Sequence, residues 1–144
     1  MKHHYRLILI ISLMITGCNI GGQGEEVRPL LIGANKIIDQ TKADAAKQVV
    51  LSMDEVVEVK AVNFENNIYI FAKVKQFDRF FLERIRNEAH DKVKKRVPDV
   101  IVHVSTDKKV FLELEKLERK INNDEIDKKT IEKDIKKIED FMKG

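Results

Sequence analysis

The side chains able to do chemistry here are few, and their spacing restricts what they can do. Cys18 is the only cysteine, and a lone thiol closes no intramolecular disulfide and makes no CxxC pair or thiolate metal site. His90 falls on the polar side of a helical pattern, and His103 lies in a strand pattern on the side opposite its valines. Neither has a Cys, His or carboxylate at ligand spacing, so solvated imidazoles are expected, with no metal and no cofactor. Ser105, Thr106 and Asp107 place hydroxyls beside a carboxylate, a combination that suggests a nucleophile. They stand where a strand gives way to a helix, however, and all three are favoured N-cap types, so capping is the expected role. No base, nucleophile and oxyanion donor come together, and the expectation is a protein without catalytic residues. The alternative is a small hydrolase or ligand-binding module whose site motifs do not reveal; a concave pocket with converging polar groups would distinguish it.

Chemistry for Cys18 comes from what precedes it. MKHHYR is a short basic start, LILIISLMIT an apolar run, and Gly17 a small residue at the junction, in the order of a secretory signal. A spanning helix needs roughly twenty apolar residues, about twice this run. Ile15-Thr16-Gly17-Cys18 resembles the lipobox of bacterial lipoproteins. That resemblance implies S-diacylglyceryl modification of Cys18, cleavage between Gly17 and Cys18, and N-acylation of the new terminus. Two or more acyl chains hold a protein on a membrane stably where one does so only marginally. A cleaved signal with an incidental cysteine and an uncleaved signal anchor are the alternatives.

Removing residues 1 to 17 takes away Lys2 and Arg6, which lowers the formal charge from +3 to +1. A nearly neutral chain is no strongly basic nucleic-acid binder. Residues 18 to 33, with the glycine-rich stretch after Cys18, read as a flexible tether.

The ordered region is expected to start at residue 34. ANKIIDQTKADAAKQVVLSM has helix-forming composition, with Ala46, Val49, Val50 and Met53 at helical spacing. The period then becomes two. Val57, Val59 and Ala61 share one side of a strand, and Ile68, Ile70, Ala72 and Val74 share one side of a second. Asn66 and Asn67 between them predict a hairpin. A helical stripe of Phe81, Leu82, Ile85, Ala89 and Val93 follows, and Pro98 enforces a stop. Residues 99 to 105 form a third strand with Val100, Val102 and Val104 on one side. The order αββαβ over residues 34 to 106 predicts an α+β fold: a small mixed sheet with helices on one face, two layers in all, followed by a helical tail.

The lipobox, the tether, the segment QVVLSMDEVVEVKAVNFENNIYIFAKV, a basic helix and the passage VIVHVSTDKKVFLELEKL together resemble the YhcN/YlaJ family of spore lipoproteins, over roughly residues 34 to 121. Family members usually carry a glycine before the first strand, where this chain has Asp54-Glu55. The resemblance implies a lipoprotein on the extracytoplasmic face of the forespore or spore inner membrane, linked to germination or outgrowth, and brings no catalytic residue with it. The element order also resembles BON-type domains, by analogy of fold alone.

Two surfaces are candidates for contact with something else. Residues 73 to 96 hold nine Lys or Arg against four Asp or Glu, and Arg79, Arg86 and Lys94 fall at helical spacing, a face that could sit on anionic lipid. Pairs four apart, such as Arg84 with Glu88, make an ordinary solvated face the competing reading. Residues 107 to 144 read as two amphipathic helices. Asn122-Asn123 stops the first, Asp127 caps the second and Ile126 staples onto Ile131. A single 4-3 register leaves an intermolecular coiled coil as the alternative. Ile131, Ile135, Ile138 and Met142 would be buried if these helices pack on the domain or on each other, and would bind a protein partner if left free.

Overall fold

The computed structural model describes residues 27–144; Cys18, the leader before it and most of the expected tether lie outside them. Strands β1 (Val56–Phe64) and β2 (Asn67–Val74) form the expected hairpin, antiparallel, with Phe64 opposite Asn67. The turn is Glu65-Asn66, and Glu65 takes φ +52°, the left-handed region that a Cβ disfavours. Strand β3 (Ile101–Ser105) runs parallel to β2, from Asn67 opposite Ile101 to Phe71 opposite Ser105, so β2 is central. Parallel neighbours need a crossover. It consists of a 3-10 turn, Gln76–Phe81, and helix α2, Leu82–Arg96.

One sheet face carries helix α1 (Thr41–Leu51) and α2, packed through Ala43, Ala46, Val50, Ile85, Ala89 and Val93 onto Val59, Ala61, Ile68, Ile70 and Ala72. The αββαβ part therefore has its helices on one face, and the α+β class holds. Val57 departs from expectation: the register shifts between Val56 and Glu58, so Val56 is buried and Val57 only half so.

The helical tail adds a third layer. Helices α3 (Lys108–Asn122) and α4 (Lys128–Lys143) bury Val110, Leu114, Leu117, Ile121, Ile131, Ile135 and Ile138 against Val62, Phe64, Tyr69 and Phe71 on the opposite face of the sheet. Strand β2 is thus covered on both sides, which explains why Ile68-Tyr69-Ile70-Phe71-Ala72 is apolar without a break. Between the two helices Asp124 takes φ +57°, with Glu125 N–H donating to Lys120 O and Asp124 N–H to Ile121 O. This is a Schellman stop with an aspartate where glycine is usual. Asp127 Oδ1 then accepts the Thr130 N–H at 3.0 Å and Ile126 is buried in the same core as Ile131.

The first helix begins at Thr41, later than its composition suggests, because the residues before it bond to other partners. The Gln40 side chain accepts the Asn63 N–H at 3.0 Å and donates to the Asn63 carbonyl at 2.9 Å, closing the outer edge of β1. Residues ahead of position 34 are held as well. Ile32 and Gly33 N–H groups donate to the Asp44 carboxylate, at 2.9 and 2.7 Å for their shorter bonds, and Ile32 is buried. Leu30 O accepts from Lys47 Nζ.

Lys47 is the centre of this arrangement. Its side chain is fully buried, and Nζ lies 3.0 Å from Asp44 Oδ1 and 3.2 Å from Glu118 Oε1. That same Glu118 oxygen accepts the Ala61 N–H at 2.9 Å. Burial raises the Glu118 carboxyl above the usual carboxylate range, against the opposing pull of Lys47, the Ala61 amide and Lys60. Removing one member of a buried pair leaves the other uncompensated, at a cost of about 3–5 kcal/mol. Lys47→Met should therefore lower unfolding free energy by about 3 kcal/mol or more in urea titrations. A loss below about 1 kcal/mol, the range of an exposed pair, would show that the ammonium is not a structural centre.

Candidate functional site

The residues singled out by chemical type are dispersed over the molecule. His90 is exposed on α2, with Nδ1 3.1 Å from Asp91 Oδ1. His103 is not solvated as expected. Its ring stacks on Tyr69 at 4.9 Å and 7°, and its Nε2 lies 3.0 Å from Asn67 Oδ1. Tyr69 in turn donates its hydroxyl to Glu139 Oε1 of α4 at 2.6 Å. Burial, then the Glu139 bond, push the Tyr69 hydroxyl well up, so it holds its proton and acts as a tie between sheet and tail.

Ser105 Oγ accepts the Asp107 N–H at 3.1 Å, and Asp107 Oδ1 accepts the Lys109 N–H at 2.6 Å, so both serve the start of α3. Thr106 Oγ1 accepts from Arg86 Nη1 at 3.2 Å. None of the three hydroxyl or carboxylate groups is directed at a histidine. No group of three or more His, Cys, Asp or Glu is placed to hold a metal among the described residues.

The three cations expected on one helical face are placed differently from one another. Arg79 is on the 3-10 turn and exposed. Arg86 is tied to Thr106, and Lys94 Nζ donates to the carbonyls of Pro98 and Val100, both at 2.7 Å. Lys94 thus anchors the passage from α2 into β3. Arg79 lines a groove of about 370 Å³ with Lys73, Lys108, Leu82, Phe71 and Phe111. A wider concavity of about 740 Å³, along Glu83, Asn87, Asp91 and Lys95, is open and lined by α2 alone.

The apolar residues of the tail lie inside. Ile131 and Ile138 are wholly buried, Ile135 nearly so, and Met142 packs partly against the same core. They are not a free surface for a partner, because the second sheet face requires them. Ile131→Asp with Ile135→Asp should then unfold the protein, and circular dichroism should show lost helix at 25 °C; retained cooperative melting would show that α4 is dispensable.

Sequence reasoning missed the most exposed apolar group. Phe81 was expected in the buried stripe of α2, yet it is 53% exposed, and Phe77 and Phe80 are 89% and 91% exposed. The helical period was extended one turn too far: α2 begins at Leu82, and the 3-10 turn before it carries its rings outward. Three phenylalanines in five positions beside Arg79 were the available signal.

Burial lowers the His103 pKa from 6.5, so the fold favours the neutral ring. For a base with a depressed folded-state value, this stability is present above 6.5 and is lost as pH falls through the folded pKa. His103→Phe keeps an aromatic stack and should remove most of the loss between about pH 7.5 and 5.5 in urea midpoints, above the carboxylate range. An equal loss in both proteins would assign the pH dependence to other groups.

A search of curated proteins finds no match. The family model for sporulation lipoprotein YhcN/YlaJ matches residues 26–139, which takes in α1, α2, α3, most of α4 and the whole three-stranded sheet. The three-stranded mixed sheet, the α1–α2 layer, α3 and the docked segment ahead of α1 all fall within that match, and the chain belongs to the sporulation lipoprotein YhcN/YlaJ family.

Proposed function

We propose that the protein is a non-enzymatic lipoprotein held by acylated Cys18 on the extracytoplasmic face of the forespore or spore inner membrane, where it acts in germination or outgrowth. The observation that carries this reading is one of adjacency. The family match starts at residue 26, eight positions beyond Cys18 and its lipobox-like Ile15-Thr16-Gly17. The family's lipoprotein character thus meets, in this chain, a cysteine in the sequence setting that lipid attachment needs.

The lipid surface itself is the proposed binding partner. Arg79 and the cations around it are available for anionic headgroups, each surface-proximal charge contributing about 1 kcal/mol. Protein capture through the tail is the weaker reading, since its isoleucines fill the second core. A non-enzymatic role is supported by the use of Ser105 and Asp107 in bonds at the start of α3 and of Thr106 as the acceptor for Arg86 of α2.

Cys18→Ala tests the anchor. The variant should take up no labelled fatty acid and should keep its 17-residue leader, running roughly 2 kDa above the mature protein. Labelling or normal trimming of Cys18→Ala would refute attachment at this residue.

A further inference from the structure

The turn Gln76–Phe81 exposes more aromatic surface than any other segment among the described residues. Isolated exposed apolar residues are ordinary, but a contiguous group with a charged rim marks a contact surface. Here the rim is cationic. Lys73, Arg79 and Lys108 line the groove beside the turn, and the Arg84 guanidinium lies 5.6 Å from the Phe81 ring centroid. The acids close by are Asp78, Glu83, Glu58 and Glu55, of which Glu58 is paired with Lys73 at 3.2 Å and Glu55 with Arg84 at 3.0 Å, against the cations Lys73, Arg79, Arg84 and Lys108 and the adjoining Lys75. Aromatic rings with Lys and Arg around them suit the boundary between headgroups and acyl chains.

The path of the chain indicates which occupant meets this surface. Val27 and Pro29 line a depression with Leu51, Val56 and Val57. Val56 is opposite Val74, and Lys75 N–H donates to Glu55 O at 2.9 Å, one residue before the aromatic turn. The entry of the chain into the domain and the phenylalanines therefore share one end of the sheet. Nine positions separate Val27 from Cys18, at most about 30 Å of chain. The hairpin end lies a further seven residues of strand away, roughly 23 Å.

We propose that Phe77, Phe80 and Phe81 form a lip that inserts into the headgroup–acyl boundary of an anionic bilayer, with Lys73, Arg79 and Lys108 on lipid phosphates. The lip sets the orientation of the domain, whereas acylation only keeps it near. This rests on the anchoring at Cys18 proposed above, and failure of that anchoring would be seen separately, as wild-type protein without lipid label.

The chain contains no Trp, so Phe80→Trp introduces a single fluorescent reporter. The mature lipoprotein carrying it is reconstituted in phosphatidylcholine–phosphatidylglycerol vesicles with brominated acyl chains. Its emission should shift to the blue and be quenched by bromine, while Ile101→Trp, at a 54% exposed site on the hairpin end, should behave as in water. Equal, unquenched emission from both variants would overturn the proposal. A blue shift without bromine quenching would overturn it too, by showing a protein occupant such as a second copy. Independently of acylation, the mature Cys18→Ser chain should bind these vesicles, and adding Phe77→Ser with Phe80→Ser should weaken binding at least about tenfold. Unchanged binding in variants that melt normally would refute the lip.

Discussion

A fully buried ammonium must be surrounded by oxygen, and Lys47 obtains its oxygens from three parts of the chain at once. Asp44 is on its own helix, Leu30 O belongs to the segment ahead of that helix, and Glu118 comes from the tail. Desolvating a charge is so costly that all three must be in place together. One side chain thereby makes the entry segment, the α1 layer and the α3 layer conditional on each other. Glu118 extends the constraint to the sheet by accepting the Ala61 N–H, an outward-facing donor on edge strand β1. Buried ion pairs often add little net stability, and their better-attested contribution is to specify one arrangement. Specification fits this molecule, in which two separate apolar cores could otherwise slide relative to the sheet between them.

The same constraint bears on how the domain meets its surroundings. With Ile32 and Gly33 held by Asp44 and Leu30 held by Lys47, the chain leaves the domain at a fixed place, beside the start of β1. Docking of residues 30 to 33 thus fixes where the chain enters the domain. Lys36 reinforces this by donating to Asn122 O and Asp124 Oδ2 at the turn between α3 and α4. The end of the sheet from which the chain departs also carries the exposed phenylalanines, so their position relative to the entry segment follows from interactions far inside the fold.

Patterns with a strong period were legible in the sequence. The hairpin, the third strand, α2 and the two tail helices each announced themselves through periodicity or caps, and the α+β class followed. The third layer was harder to read. An amphipathic tail has the same stripe whether it covers a sheet or another chain, and the decisive clue was in β2, whose unbroken Ile68 to Ala72 run requires cover on both faces. Lys47 and Glu118 left no trace at all, since a lysine and a glutamate seventy-one positions apart look like two surface residues until the fold joins them. Phe81 failed for a local reason: its spacing suits the stripe of α2, but the backbone there is a 3-10 turn. Lys94 was misleading because a cation in the last turn of a helix serves carbonyls as readily as a ligand.

Amide hydrogen exchange on the mature protein tests the interlocked centre most directly. The Ile32, Gly33 and Ala61 amides donate to carboxylates gathered around Lys47, so the three should exchange only through global unfolding, at the slow rate of the β2 amides and with a common free energy. Fast exchange at Ile32 and Gly33 while β2 stays protected would contradict it, and would return the entry segment to the status of a loose tether.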